Sequence, residues 1–296
     1  NGAIKLNRYG YRFRGEGPFA RVTTVKGMKC GSSALVDWAA KTVADRVAAL
    51  AQSRLDNTIT EDELLVALKD ERLAKAHDAV RDNAADFGTI VHDLAEGIAL
   101  GDGDVLDLAL KAIDRAALRQ FADDLGAKLE DERAERLFRQ RLTDADRETV
   151  ERIRKGHEDR FWPDVEAFLL WVERDRPRFL WTERQLFHRG LMVAGSCDAL
   201  VEIHGTRLML DYQTSKAVYS DYGLQLAAYR NMEFIGLPDG SELPVPETDA
   251  GAVLHIREGK CVLYEVPSGP AEWEAFQACA LLRRWDRSGV KPKEFA

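Results

Sequence analysis

The chain contains no apolar run near the roughly 18 residues needed to cross a bilayer. Its first residues also lack the basic-then-apolar pattern of a secretory leader. Together these absences make a cytoplasmic protein with no membrane partner the expectation. Cysteine is scarce: Cys30, Cys197, Cys261 and Cys279 lie far apart and form no CxxC pair. That spacing argues against a zinc site or an iron–sulfur cluster, so four reduced packing residues are expected. An excess of positive charge is missing too, since the net charge is −8. Net charge describes the whole surface, however, and a local basic groove is compatible with it. Internal repeats, low-complexity stretches and a convincing linker are all lacking, which predicts one domain over 1–296. The chain does not open on Met, so its true start is expected to have been trimmed.

What is present is a composition of 45% hydrophobic and 31% charged residues over a length of 296, ample for a core. Residues 1–18 interleave Arg with Tyr9, Tyr11 and Phe13 and read as an extended arm, either packed by its aromatics or laid along a nucleic-acid groove. Arg21–Val25 has the β-branched content of a short strand. Ser32 or Ser33 caps a helix expected to reach Leu55, with Leu35, Val36, Trp38, Ala39, Val43 and Val47 on its apolar side. Thr60 and Glu63 form a capping box for a second helix, ending near Asn83. A third is expected over Phe87–Leu100. From Asp104 to Arg174 the pattern is charged and helical, with Gly126, Thr143 and Gly156 as interruptions and Trp162-Pro163 as a kink or new start.

After Pro177 the period changes to that of strands: Phe179–Phe187, Leu191–Ile203 and Arg207–Tyr212, the last two joined at Gly205-Thr206. Ser220 or Asp221 then caps a helix to about Phe234, and 236–249 reads as a loop. Strands Ala252–Ile256 and Cys261–Val266 follow. A last helix has Pro270 near its first position and runs to Arg287. The predicted class is mixed α/β, with a mostly helical part over 1–175 and a strand-rich core over 176–296.

Within that core, Asp198 and Asp211 interrupt strands that otherwise read apolar. Carboxylates on buried strands are costly without a cation partner, and two on adjoining strands point to a metal site. Gln225 and Tyr229 are four apart and share a helix face. Their alternative is a face packed under the sheet. His92 and Glu96 are likewise four apart, with Glu96 a structural residue or one that orients His92.

His92 in GTIVHDLAE, Asp198 in GSCDALV, Asp211 in LDYQTSK and Gln225–Tyr229 in QLAAY resemble, in order and spacing, the PD-(D/E)XK nuclease superfamily. The likeness is to its RecB-type exonuclease branch, including phage-encoded and CRISPR-associated relatives. This resemblance implies a central mixed sheet flanked by helices, a restriction-endonuclease-like core with a helical N-terminal elaboration. It further implies Mg²⁺ or Mn²⁺ bound by His92, Asp198, Asp211 and the backbone carbonyl of Tyr212, with Glu183 a secondary candidate. Gln225 and Tyr229 would position DNA or support the active-site lysine. The implied substrate is DNA, as a single strand or a duplex end, in recombination, repair or processing. A homo-oligomer or recombination partner protein would be compatible, and a phage-encoded chain would work in the host cytoplasm.

The pattern departs from the family at one position. Where Asp/Glu-x-Lys is expected, the chain has Asp211-Tyr212-Gln213. A lysine there would orient the attacking water or stabilise phosphate charge; a neutral amide brings hydrogen bonds without charge. Gln213 is an introduced substitution, a natural variant whose cation comes from elsewhere, or the mark of a binding subunit without catalysis. Lys216 is the nearest replacement, but three residues along a strand it points to the opposite face unless the chain turns after Thr214. The expected activity is a divalent-metal-dependent DNA exonuclease, the alternative a non-catalytic DNA-binding or assembly subunit on the same fold.

Overall fold

The computed structural model describes residues 3–7, 10–27, 44–45, 47–69, 76–101, 103–127, 129 and 132–287. They fall into two compact units, one of Asn1–Met28 with Phe87–Ala296 and one of Lys29–Asp86. In the smaller unit, residues 47–55 are helical, and the expected caps at Ser32 and Ser33 lie outside the described residues. The capping box is present. Thr60 N donates to Glu63 Oε2 at 2.7 Å and Glu63 N donates to Thr60 Oγ1 at 3.2 Å, opening a helix over Glu61–Lys69.

The larger unit begins with β1 (Ile4–Asn7), β2 (Gly10–Phe13) and β3 (Glu16–Arg21). The extended arm is thus an antiparallel meander, packed through Phe13 and Phe19 against Phe187 and Phe234. The strand expected over Arg21–Val25 is instead the short helix α1 (Val22–Lys26). Val22 and Val25 are both fully buried, and at a spacing of three they meet one neighbour only if the chain coils. Counting the helix at Glu61–Lys69 as α2, the next are α3 (Ala76–Leu100), α4 (Val105–Asp124), α5 (Glu132–Arg141) and α6 (Asp144–Asp175). The break expected near Asn83 is absent, because α3 is continuous there. Neither Gly156 nor Pro163 interrupts α6. Thr143 does interrupt, as the capping residue that starts α6, and Arg176 ends that helix in the left-handed conformation, one residue before Pro177.

The strand-rich half holds β4 (Arg178–His188), β5 (Val193–Ile203), β6 (Thr206–Gln213), α7 (Asp221–Arg230), β7 (Phe234–Gly236), β8 (Glu242–Pro244), β9 (Ala250–Arg257), β10 (Lys260–Val266) and α8 (Pro270–Arg287). His204 and Gly205 both have positive φ, at 50° and 82°, as a two-residue hairpin turn requires. Two expectations are corrected here. The helix from Asp221 stops at Arg230, because Phe234 is drawn into β7, paired with Phe187 of β4. The presumed loop over 236–249 contains β8, which pairs back onto β7.

Among the described residues ten strands form one mixed sheet whose centre runs β4-β5-β6-β9-β10. β5 is antiparallel to β4 and β6, while β6 is parallel to β9, reached through α7. Alternation along β6 sends Leu208, Leu210 and Tyr212 to a layer with α3, α4 and α6. Met209 faces the other layer, where α1, α7 and α8 pack. Each buried Leu or Phe in these layers contributes roughly 1.5–3 kcal/mol. Asp211 is the exception in the second layer, a charge facing a helix across an apolar core.

Candidate active site

The site lies where α3, β4, β5, β6, α7 and α1 meet. α3 brings His92, rotated into place by buried Ile90, Val91 and Leu94. The neighbouring Asp93 is gripped by Arg119 of α4 at 3.4 Å and Arg115 at 3.6 Å, and both arginines pair with Glu135 of α5. Burial still pushes the Asp93 carboxyl up, against the two guanidiniums. This network fixes the turn of α3 that carries His92.

β4 brings Glu183. Its register places Thr182 opposite Ala199 and Arg184 opposite Cys197, so Glu183 faces Asp198. Glu183 has a φ of 49°, left-handed within a strand, a conformation that costs on the order of 1–3 kcal/mol. Its carboxylate meets His92 Nδ1 at 2.5 Å and accepts from Ser196 Oγ at 3.4 Å. The other imidazole nitrogen, Nε2, is 3.8 Å from Asp198 Oδ2, beyond hydrogen-bonding reach. Glu183 therefore accepts from Nδ1–H and fixes the ring so that Nε2 points toward Asp198, where a metal ion would take the place of the Nε2 proton.

Asp198 and Asp211 are both buried. Asp198 Oδ2 accepts from the Tyr212 backbone N–H at 2.7 Å. Asp211 Oδ1 accepts from Gln225 Nε2 at 2.8 Å, and its Oδ2 accepts from Gln213, two residues along the same strand face. Burial and the Asp211 charge push the Asp198 carboxyl well up, against the pull of His92. Burial raises Asp211 too, against the Gln213 hydrogen bond and the charges of Lys26 and His92. For His92, burial favours the neutral ring, but Asp198, Glu183 and Asp211 prevail and it is pushed up to about 9.

One ligand atom each from His92, Glu183 and Asp198 lie within 4.8 Å of one another. Burial holds the Asp198 and Asp211 carboxyls above their ordinary range, a cost that a cation taking the place of their protons would relieve, and hard oxygens with one nitrogen suit a divalent cation such as Mg²⁺ or Mn²⁺. These residues fit such an ion. The Tyr212 ring stands edge-on to His92 at 5.2 Å and its buried hydroxyl finds no hydrogen-bond partner among the described residues.

Other sequence candidates fall around this centre. Tyr229 is buried in α7, and its ring lies so close that a Cβ on Gly195 would come 2.8 Å from its Cε1. It is thus a wall under β5. Glu96 is exposed on α3, and the residue orienting His92 is Glu183. Lys216 lies in the bend after Thr214 with its side chain exposed. Cys197 and Cys279 are buried and Cys261 half-buried, and none of the three forms a disulfide among the described residues, while Cys30 lies outside them.

Sequence reasoning missed Lys26. Its Nζ donates to Gln225 Oε1 at 2.7 Å and lies 3.9 Å from Asp221 Oδ2, and it sits 5.0 Å from the centroid of the Tyr222 ring. A single lysine at the end of a stretch read as a strand gave no signal; only the fold brings α1 beside α7.

Among proteins of known kind, the family model described as the PD-(D/E)XK nuclease superfamily matches residues 66–254. That span is more than half of the chain and holds every site residue above except Lys26. No curated protein matches. A solved structure described as "Crystal structure of SSO0001" is similar at 12% identity, covering 62% of this chain and 89% of that one, with a TM-score of 0.29. Among the described residues no helix is long and apolar enough to cross a membrane.

Proposed function

This chain belongs to the PD-(D/E)XK nuclease superfamily, and we propose that it is a divalent-metal-dependent deoxyribonuclease acting as an exonuclease on single strands or duplex ends, in DNA recombination, repair or processing. The observation that carries this reading is the gathering of His92, Glu183, Asp198 and Asp211 from four separate elements, with ligand atoms of His92, Glu183 and Asp198 within 4.8 Å of one another and Asp211 beside Asp198. The exonuclease and RecB-type refinement rests on the order of His92, Asp198, Asp211 and Gln225–Tyr229 along the chain.

His92 Nε2 and the Asp198 carboxylate would hold Mg²⁺ or Mn²⁺, with Asp211 and the Tyr212 carbonyl completing the shell and Glu183 in reach. When bound, the ion neutralises phosphate charge and lowers the pKa of a water. The protein's own part is to hold the frame. Glu183 holds Nδ1–H so that Nε2 would be the ring's donor atom once a metal ion displaced its proton, and Gln225 and Gln213 fix both oxygens of Asp211. In hydrolysis the water oxygen bonds to phosphorus, the bond to one sugar oxygen breaks, and that oxygen leaves with a proton.

The test is cleavage of end-labelled linear DNA beside a closed circle, with Mg²⁺ or Mn²⁺. Linear DNA is expected to be degraded and the circle spared. Asp198→Ala and Asp211→Ala should each lower kcat by about 10³-fold or more, the order seen when an essential charged group is removed. Cleavage that persists undiminished in both variants would sink the reading.

A further inference from the structure

The motif position that normally supplies a positive charge holds Gln213, and Gln213 donates its amide to Asp211. Opposite it, across the same carboxylate, is Gln225, whose Nε2 donates to Asp211 Oδ1 at 2.8 Å while its Oε1 accepts from Lys26 Nζ at 2.7 Å. Asp211, Gln225 and Lys26 therefore form a chain of hydrogen bonds from carboxylate to ammonium. An amide in that place has a fixed dipole. With its oxygen held by a cation, its N–H₂ end must face Asp211, so the ammonium sets the amide's direction.

Lys26 is placed by design of the fold rather than by a loose side chain. β3 runs parallel to β5, with Ala20 opposite Val193 and Arg21 opposite Ala194. The chain then coils into α1, anchored by fully buried Val22 and Val25 among Met209, Leu226 and Tyr229. The Lys26 side chain is only 15% exposed and its charge acts on Asp211, favouring the carboxylate against burial. Asp221, at 3.9 Å, is its partner on the outer side.

We propose that Lys26, on α1, is the positioning cation of this site and takes over the charge that position 213 lacks, acting on Asp211 through Gln225. This rests on the nuclease reading for its catalytic consequence, but its electrostatic consequence does not. Removing a cation beside an acidic cluster tightens divalent-cation binding, whereas loosening a mere packing strut weakens it or leaves it unchanged.

The experiment measures three quantities on the full chain: Mn²⁺ affinity by titration calorimetry, thermal unfolding, and kcat for DNA cleavage. Lys26→Met is expected to bind Mn²⁺ several-fold more tightly while lowering kcat by about 10²-fold, the order found when one preorganised charge or donor is lost. Lys26→Arg should recover most of both. Gln213→Lys placed in the Lys26→Met background should restore kcat at least tenfold, since it returns the charge from the strand side. If Lys26→Met fails to fold, Lys26→Gln keeps a donor for Gln225 and takes its place in every comparison. Unchanged Mn²⁺ affinity with wild-type kcat overturns the proposal. So does weaker Mn²⁺ binding together with a kcat loss that Gln213→Lys does not repair. Should the wild-type chain cut no DNA, the nuclease reading fails on its own, and Lys26 is still decided by whether Lys26→Met tightens or spares Mn²⁺ binding.

Discussion

Asp198 shows what a site made for a cation costs the residue that builds it. Its carboxyl is pushed well up by burial and by Asp211, so at neutral pH the ionised form is worse off folded than unfolded. A carboxyl with a raised folded pKa draws on stability as pH climbs from its ordinary value through the raised one, and imposes no such cost below that range. Asp198→Asn keeps an acceptor for the Tyr212 N–H and removes the charge. In the absence of divalent ions at pH 7–8, its melting temperature is therefore expected above that of the parent by about 2 °C or more, the shift that roughly 1 kcal/mol makes in a large domain. At pH 4 the difference should shrink. Equal melting temperatures at both pH values would show that Asp198 carries no electrostatic burden. At this scale the sequence was informative about acids and poor about their partners. Asp198 and Asp211 stood out because charged residues rarely sit on buried strands. Glu183 could not be seen as the residue that orients His92, because its left-handed φ and its register opposite Asp198 are properties of the paired sheet. Lys26 was invisible for the same reason: its role needs the parallel pairing of β3 with β5.

At the scale of elements, α7 is the part on which alignment depends. It carries Gln225 and lies against β5, with the Tyr229 ring filling the space a side chain at 195 would need. Gly195→Ala is expected to push α7 outward, costing about 1–3 kcal/mol of stability as overpacking commonly does. It should lower kcat far more than it raises KM, because Gln225 loses its hold on Asp211. Denaturant unfolding and steady-state kinetics check both parts, and an unchanged kcat with reduced stability would separate packing from alignment. Elements themselves were legible where a local signal is strong, as with the capping box at Thr60, Pro270 opening α8 and the apolar runs of β5 and β6. They were misread where tertiary pairing decides. β7 and β8 are three residues each and exist only because β4 offers an edge. Pro163 and Gly156 look like breaks, yet α6 continues through both because buried Phe161, Val165, Phe168 and Trp171 hold it against the sheet.

For the whole molecule, the balance of charge sets when nucleic acid can be held. With a net charge of −8 and several carboxylates at the site, phosphate should be repelled until a divalent ion reverses the local sign. Binding of a short single-stranded DNA in 0.15 M salt is expected to be at least tenfold weaker in EDTA than in Ca²⁺, measured by fluorescence anisotropy. Affinity that ignores EDTA would instead place the DNA on basic surface away from the acids. The mixed sheet and flanking helices, the restriction-endonuclease-like core that the resemblance to the nuclease superfamily implied, bring these charges together from distant parts of the sequence.

That distance has a consequence in time. The parallel pairing of Ala20 with Val193 joins the start of the chain to a strand far along it. Contacts so remote must wait for a large loop to close, and they form late and slowly. During synthesis, α1 and α3 emerge carrying Lys26 and His92 long before β5 and β6 exist to meet them. A growing chain therefore has the parts of a nuclease without the power to cut. Assembly of the centre coincides with completion of the sheet, so activity should appear in refolding as a single late phase, in step with burial of Trp171 and Phe168 rather than with early helix formation.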